Sequence, residues 1–139
     1  MILRDISYDE AKELYDKLSD KEKSYVAPRG KYIDSPKLSF RLGLVEKNNL
    51  LGFIDVYEFN EKEGFIIIAV DPYYRGMGVA KSLLKSAIIV AISKNFNKLI
   101  YKVDKSNKAS VNFINNSVYN FILTSESYND LTYTLQLNS

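Results

Sequence analysis

A mixed α/β (α+β) fold, with a central sheet carrying helices on its faces, is what this sequence predicts, and three observations predict it. Apolar residues recur at helical spacing near the N-terminus and switch to a period of two from Leu38. They then run unbroken over residues 65–70 ahead of a long amphipathic stretch. Strand and helix signals alternate from there on, with hairpins at both ends. No repeat, low-complexity tract or Pro/Gly/Ser-rich linker divides the 139 residues. One domain over 1–139 is therefore expected, long enough to bury roughly two thirds of the surface its unfolded chain exposes.

Ser7 stands three residues before Glu10, the spacing of a capping box, and Ala11, Leu14, Tyr15 and Leu18 follow at helical intervals. A second, shorter helix is expected to start at Ser19 or Asp20 and to end before Pro28, with a loop over 29–37. Phe40, Leu42 and Leu44 alternate with Arg41, Gly43 and Val45 up to a turn at Lys47-Asn48-Asn49. Residues 51–59 form the returning strand of that hairpin. A polar turn at 60–64 leads into 65–70, an apolar run of the kind found in a central strand covered on both faces. Asp71-Pro72 ends it. A long helix is expected over about 78–94, where Val79, Leu83, Leu84, Ala87, Ile88 and Ala91 share one face and no proline intervenes. Residues 99–103 read as the next strand, 106–115 as the next helix, and 119–124 with 131–137 as a closing pair of strands. In such an order a ligand is expected where the central strand ends and its helix begins.

Composition removes several chemistries. The chain has no cysteine, which excludes a disulfide framework, a thiolate nucleophile and a Cys-based zinc site. It has no histidine, which excludes a Ser-His-Asp triad, a histidine base and nearly every His-containing metal site. Acid-base work is left to Asp, Glu, Lys, Tyr, water or the backbone. The 19 basic and 17 acidic residues are spread along the chain and leave a formal charge of +2, which suggests neither a nucleic-acid nor a membrane partner. The N-terminus lacks the basic start and sustained apolar core of a signal peptide. The longest apolar stretch, 87–92, is too short to span a bilayer and lies between Lys85 and Lys94. A soluble cytoplasmic protein is the expectation.

The segment that carries chemistry runs from Ile68-Ala69-Val70-Asp71-Pro72 through Arg75-Gly76-Met77-Gly78-Val79-Ala80-Lys81 to Ser82-Leu83-Leu84. A buried strand delivers a short turn, two closely spaced glycines and a helix. Glycine tolerates positive φ and lets the backbone approach a ligand. The free N–H groups and dipole of the helix start then suit an anionic phosphate, with Arg75 and Lys81 adding charge. Without a ligand, the same glycines would serve only to shape a strand-to-helix turn. A P-loop fails, because Arg75 and Ala80 stand where its two glycines belong. The dinucleotide motif fails too, because Lys81 occupies its third glycine. What remains matches Gln/Arg-x-x-Gly-x-Gly/Ala, filled by Arg75, Gly78 and Ala80. With this pattern after Val-Asp-Pro and before a long helix, the chain resembles the GNAT superfamily of acyl-CoA-dependent N-acetyltransferases.

The resemblance covers most of the chain, although the first forty residues share only element order. It implies a mixed central sheet of about six or seven strands flanked by about four helices. It implies acetyl-CoA as co-substrate and no metal. The cofactor would be held by Ile68, Ala69 and Val70 of the central strand and by Arg75, Gly76, Met77, Gly78, Val79, Ala80 and Lys81, which receive its pyrophosphate. Asn107-Lys108-Ala109-Ser110-Val111-Asn112-Phe113 looks like a second family segment. There Asn107 either contacts the pantetheine arm or only caps its helix.

The catalytic set departs from the family. Ile114 stands where a tyrosine commonly protonates the departing thiolate, Val118 and Tyr119 replace a Gly-Phe pair, and Lys102 lies where some relatives carry a carboxylate. Tyr119 is the nearest substitute acid. Glu63, with Asp55 and Glu58, supplies candidate bases, and the Val70 N–H is the candidate oxyanion donor. The leading expectation is an N-acyltransferase acting on a primary amine of a small molecule or a protein, with Tyr25, Tyr32 and Tyr128 lining the acceptor pocket. The alternatives are an acyl-CoA-binding or regulatory module without turnover, and a nucleotide-binding protein using the same loop. A homodimer through an exposed strand edge is a mild preference.

Overall fold

The computed structural model describes residues 1–27 and 30–137. Among them are seven strands, β1 (Ile2–Asp5), β2 (Leu38–Glu46), β3 (Asn49–Asn60), β4 (Glu63–Val70), β5 (Lys98–Asp104), β6 (Ile122–Glu126) and β7 (Asp130–Gln136). They form one sheet in the order β1-β2-β3-β4-β5-β7-β6. The helices are α1 (Tyr8–Asp16), α2 (Asp20–Val26), α3 (Val79–Ser93) and α4 (Lys108–Asn115). All neighbouring strands are antiparallel except β4 and β5, which run parallel around the α3 crossover. This is the expected mixed sheet with helices on both faces.

Local chemistry accounts for most of the boundaries. Ser7 and Glu10 form a reciprocal capping box at α1, and Ser19 and Glu22 form a second one at α2. α2 ends at Val26, before Pro28 as expected, and Pro28 and Arg29 themselves fall outside the described residues. The β2–β3 hairpin turns at Lys47 and Asn48, both with positive φ, the combination that a tight two-residue turn between twisted strands requires. The six apolar residues expected on one face of α3 are the six that it buries.

Three elements differ from expectation. β1 carries no strand signal, because all four of its residues are exposed on an edge and no apolar alternation marks it. The penultimate strand starts at Ile122, so Tyr119 lies before it in the connection from α4. β4 is covered less completely than its apolar run suggests: Ile67, Ile68 and Val70 are only half-buried, because a cleft opens beside them.

Side chains alternate across the sheet and divide the core in two. Ile66 of β4 packs with α3 residues Val79, Leu83, Leu84 and Ala87 and with Ile114 of α4. Ala69 of β4 and Phe53 of β3 pack with Ala11, Leu14 and Tyr15 of α1 and Val26 of α2. The start of α3 lies tight against β3. A Cβ on Gly52 would come within 2.7 Å of the Val79 side chain and 2.8 Å of the Ala69 carbonyl. The missing side chain of Gly52 therefore sets the height of the loop that precedes α3.

Candidate active site

β4 and β5 pair only at Glu63, Gly64 and Phe65, opposite Lys98, Leu99 and Ile100. Beyond that point the register ends and the strands part, opening a cleft of about 890 Å³ lined by Ile66–Val70 on one side and Ile100–Asp104 on the other. Backbone parity fixes what β4 presents there. The Asp71 N–H donates to the Leu51 carbonyl at 2.9 Å, and Val70 lies opposite Gly52. Hydrogen-bonded and non-hydrogen-bonded pairs alternate in an antiparallel ladder. The N–H and C=O of Val70, Ile68 and Ile66 therefore point away from β3 and toward the cleft. Arg75 agrees with this, since its Nη2 donates to the Val70 carbonyl at 3.2 Å.

At the open end of β4, Asp71 accepts a bond from the Tyr73 N–H at 2.9 Å and tightens the turn that carries Pro72. Gly76 and Gly78 follow with φ of 76° and 77°, the left-handed region. A Cβ at either would meet nothing within 4 Å, so backbone conformation rather than space demands glycine here. Gly78 caps α3 without a side-chain bond. The first helical bond runs from Ser82 N to Gly78 O, which leaves the N–H groups of Val79, Ala80 and Lys81 without intrahelical acceptors. These residues line the cleft wall, and unpaired N–H groups with a helix dipole behind them are the electrostatics that suit an anion.

Arg75 is not free in this arrangement. Its guanidinium pairs with Glu22 of α2. Burial raises the Glu22 pKa, but the bonds from Arg75 and from Ser19 outweigh it and hold the carboxyl below its ordinary value. Gly76, Gly78, Val79, Ala80 and Lys81 line the cleft with Ile68, Ala69, Val70 and Asn107. Met77, also expected at the cofactor, is absent from that lining, and its side chain is exposed. Asn107 caps α4, its Oδ1 accepting from Ser110 N at 3.3 Å and its Nδ2 donating to Ser110 Oγ at 2.9 Å.

The proton-transfer candidates lie elsewhere. Glu63 is at the far end of β4 from Val70. It pairs with Lys98 at 3.4 Å and accepts from Asn60 at 3.3 Å, outside the cleft lining. Tyr119 borders a separate pocket of about 290 Å³ with Lys81, Leu84 and Phe113. Glu58 accepts from the Lys62 N–H in the β3–β4 turn. Ile114 is buried in the core. Of the three tyrosines expected at an acceptor pocket, Tyr25 and Tyr32 line the cleft, whereas Tyr128 is 93% exposed and lines neither pocket.

Asp55, expected as a candidate base, has a structural role instead. It is fully buried. It accepts from Arg41 Nε at 2.8 Å and Nη2 at 3.0 Å, from the Tyr32 hydroxyl at 2.5 Å and from the Tyr57 hydroxyl at 2.6 Å. Burial, then the Asp55 charge, pushes both tyrosine hydroxyls upward. Burial works against the Arg41 charge, yet the bonds and attraction of Asp55 hold that guanidinium above its ordinary value. The carboxylate is thus saturated and serves to fix Tyr32 and Tyr57, both of which line the α1/α2 side of the cleft. The available signal was the pairing of Arg41 and Asp55 at directly opposed positions of β2 and β3, inside otherwise apolar strands.

Comparison with known proteins agrees with this architecture. Among curated proteins none matches the sequence. In solved structures, an N-acetyltransferase from Staphylococcus aureus Mu50 is similar at 20% identity over 99% of this chain and 98% of that one, with a TM-score of 0.73. A PaiA N-acetyltransferase from Thermoplasma acidophilum, solved in complex with coenzyme A, is similar at 16% identity over 97% and 98%, with a TM-score of 0.76. The ribosomal-protein-S18-alanine N-acetyltransferase from Escherichia coli is similar at 17% over 99% and 94%, with a TM-score of 0.72. The acetyltransferase (GNAT) family model matches residues 3–116, and the chain, which carries that family's sheet and its loop before α3, belongs to the GNAT family.

Proposed function

We propose that the protein transfers an acetyl group from acetyl-CoA to a primary amine by direct attack within a ternary complex. The observation that carries this reading is the parting of β4 from β5 beside the Arg75–Ala80 loop. One continuous cleft offers amides for a pyrophosphate at α3, strand-edge groups for an extended amide-bearing arm, and a second half under α1 and α2 for an acceptor. The acceptor's ammonium first gives one proton to solvent, and its freed nitrogen then bonds to the thioester carbon while the Val70 N–H receives the developing oxyanion; the carbonyl re-forms as the C–S bond breaks and the thiolate departs, and the nitrogen loses its second proton to solvent. A CoA thiol has a pKa of about 8.5, so its thiolate leaves without a dedicated acid. Holding the two substrates together supplies most of the acceleration. Neither Glu63 nor Tyr119 is assigned a proton-transfer step, because neither lines the cleft. The acceptor is a small-molecule amine or a protein amine.

A second reading, an acyl-CoA-binding module without turnover, is favoured by the buried Ile114 at the family's tyrosine position. Thiol release from acetyl-CoA against a panel of amines and peptides separates the two. Turnover of any acceptor is the expected result. Thermal stabilisation by CoA with no turnover would establish the module, and stronger stabilisation by ATP than by CoA would overturn both.

A further inference from the structure

α2 crosses the mouth where β4 and β5 part, and it is tied to both sides. Glu22 pairs with Arg75 in the loop after β4. The Tyr25 hydroxyl lies 2.9 Å from Ser106 Oγ in the turn after β5, and Ser106 Oγ donates onward to Asp104 at 2.7 Å. Glu22 and Tyr25 are three residues apart and share one helix face. Arg75 in turn bridges α2 to the Val70 carbonyl at the edge of β4. Of the carboxylates lining the cleft, Asp104 is held by Ser106 and Asp130 pairs with Lys102 at 3.7 Å. Glu22 differs from both, since its partner is itself a candidate cation for the cofactor.

We propose that Glu22 is an internal anion that occupies Arg75 until the cofactor's pyrophosphate displaces it. Cofactor binding then releases the Glu22 carboxylate to position the acceptor's ammonium. The inference rests on the acyl-CoA reading of the loop. A pyrophosphate carries more charge than a carboxylate and is also met by the α3 amides, so it wins the exchange. Both partners are partly exposed, and a pair of this kind opposes cofactor binding by about two- to fivefold. Because coupling is reciprocal, the acceptor binds better once the cofactor has taken Arg75.

Glu22→Gln removes the charge while keeping the capping box with Ser19, which accepts Gln at this position. CoA is titrated calorimetrically into the wild type, E22Q, Arg75→Gln and the double variant. E22Q should tighten binding by about two- to fivefold, R75Q should weaken it, and the E22Q gain should vanish in the R75Q background. Unchanged affinity in E22Q, or an equal gain in both backgrounds, overturns the proposal. A wild type that does not bind CoA overturns the acyl-CoA reading and this inference with it. With the amine that the wild type turns over fastest, at saturating acetyl-CoA, E22Q should raise the amine KM by about threefold or more and lower kcat by less. An unmoved KM removes the acceptor role.

Discussion

The two halves of the cleft are built from different materials. On the α3 side the working surface is backbone: the amides of Val79, Ala80 and Lys81, the left-handed glycines at 76 and 78, and the outward groups of Ile68 and Val70. On the α1/α2 side it is made of side chains. Tyr32 and Tyr57 are locked to Asp55, which Arg41 also holds, and Tyr32 is stacked against Tyr8 and Tyr15 with Phe53 tilted against it. A surface of main-chain amides recognises one invariant ligand in almost any sequence context, provided glycine supplies the conformation. A surface of side chains can be rebuilt for each acceptor, and its rigidity has to come from buried bonds.

That contrast breaks most visibly at Asp55. Asp55→Ala strands the Arg41 charge among Tyr8 and Tyr32, and the expected loss is about 3–5 kcal/mol of stability by chemical denaturation. The folded fraction should still bind CoA. A stability change under about 1 kcal/mol would show that the network does not hold the α1/α2 side together.

A smaller effect sharpens the other half. Gly78→Val places a β-branched residue at φ 77° with open space around its Cβ, so the cost is conformational, about 1–2 kcal/mol. Redirected amides should weaken CoA binding by about tenfold, and unaltered binding would remove the loop from the site.

The smallest effect concerns the start of α1, outside the cleft lining. The Arg4 guanidinium, bonded at 2.7 Å, and the Ser7 N–H hold the Glu10 carboxyl at about 2, below its ordinary 4.5. A depressed carboxylate contributes stability that is complete above pH 4.5 and lost as pH falls toward 2. Arg4→Gln should flatten that acid limb in denaturation curves, whereas curves parallel to the wild type would contradict the assignment.

Legibility in the sequence follows the same division. The Ser7–Glu10 capping box, the Lys47-Asn48 turn, the buried face of α3 and the positive-φ glycine turn before it are local patterns, each complete within a few residues, and each was readable. The Glu22–Arg75 and Tyr25–Ser106 contacts join residues far apart in the chain, and no local signature marks them. β1 was hidden because an exposed four-residue edge strand has no apolar alternation to read. Tyr119 was drawn toward the chemistry by its position in the family pattern. The chain instead turns it to the other side of Phe113, toward a pocket shared with Leu84.

The central claim is that the parted strands and the Arg75–Ala80 loop form one acyl-CoA site. Titrating CoA into isotopically labelled protein and following the backbone amides by NMR tests it most directly. The largest shifts should fall on Gly76, Gly78, Val79, Ala80 and Lys81, with a second group at Ile68 and Val70, while β1 and the outer face of α1 stay unmoved. Shifts confined to other surfaces, or none at saturating CoA, would contradict it.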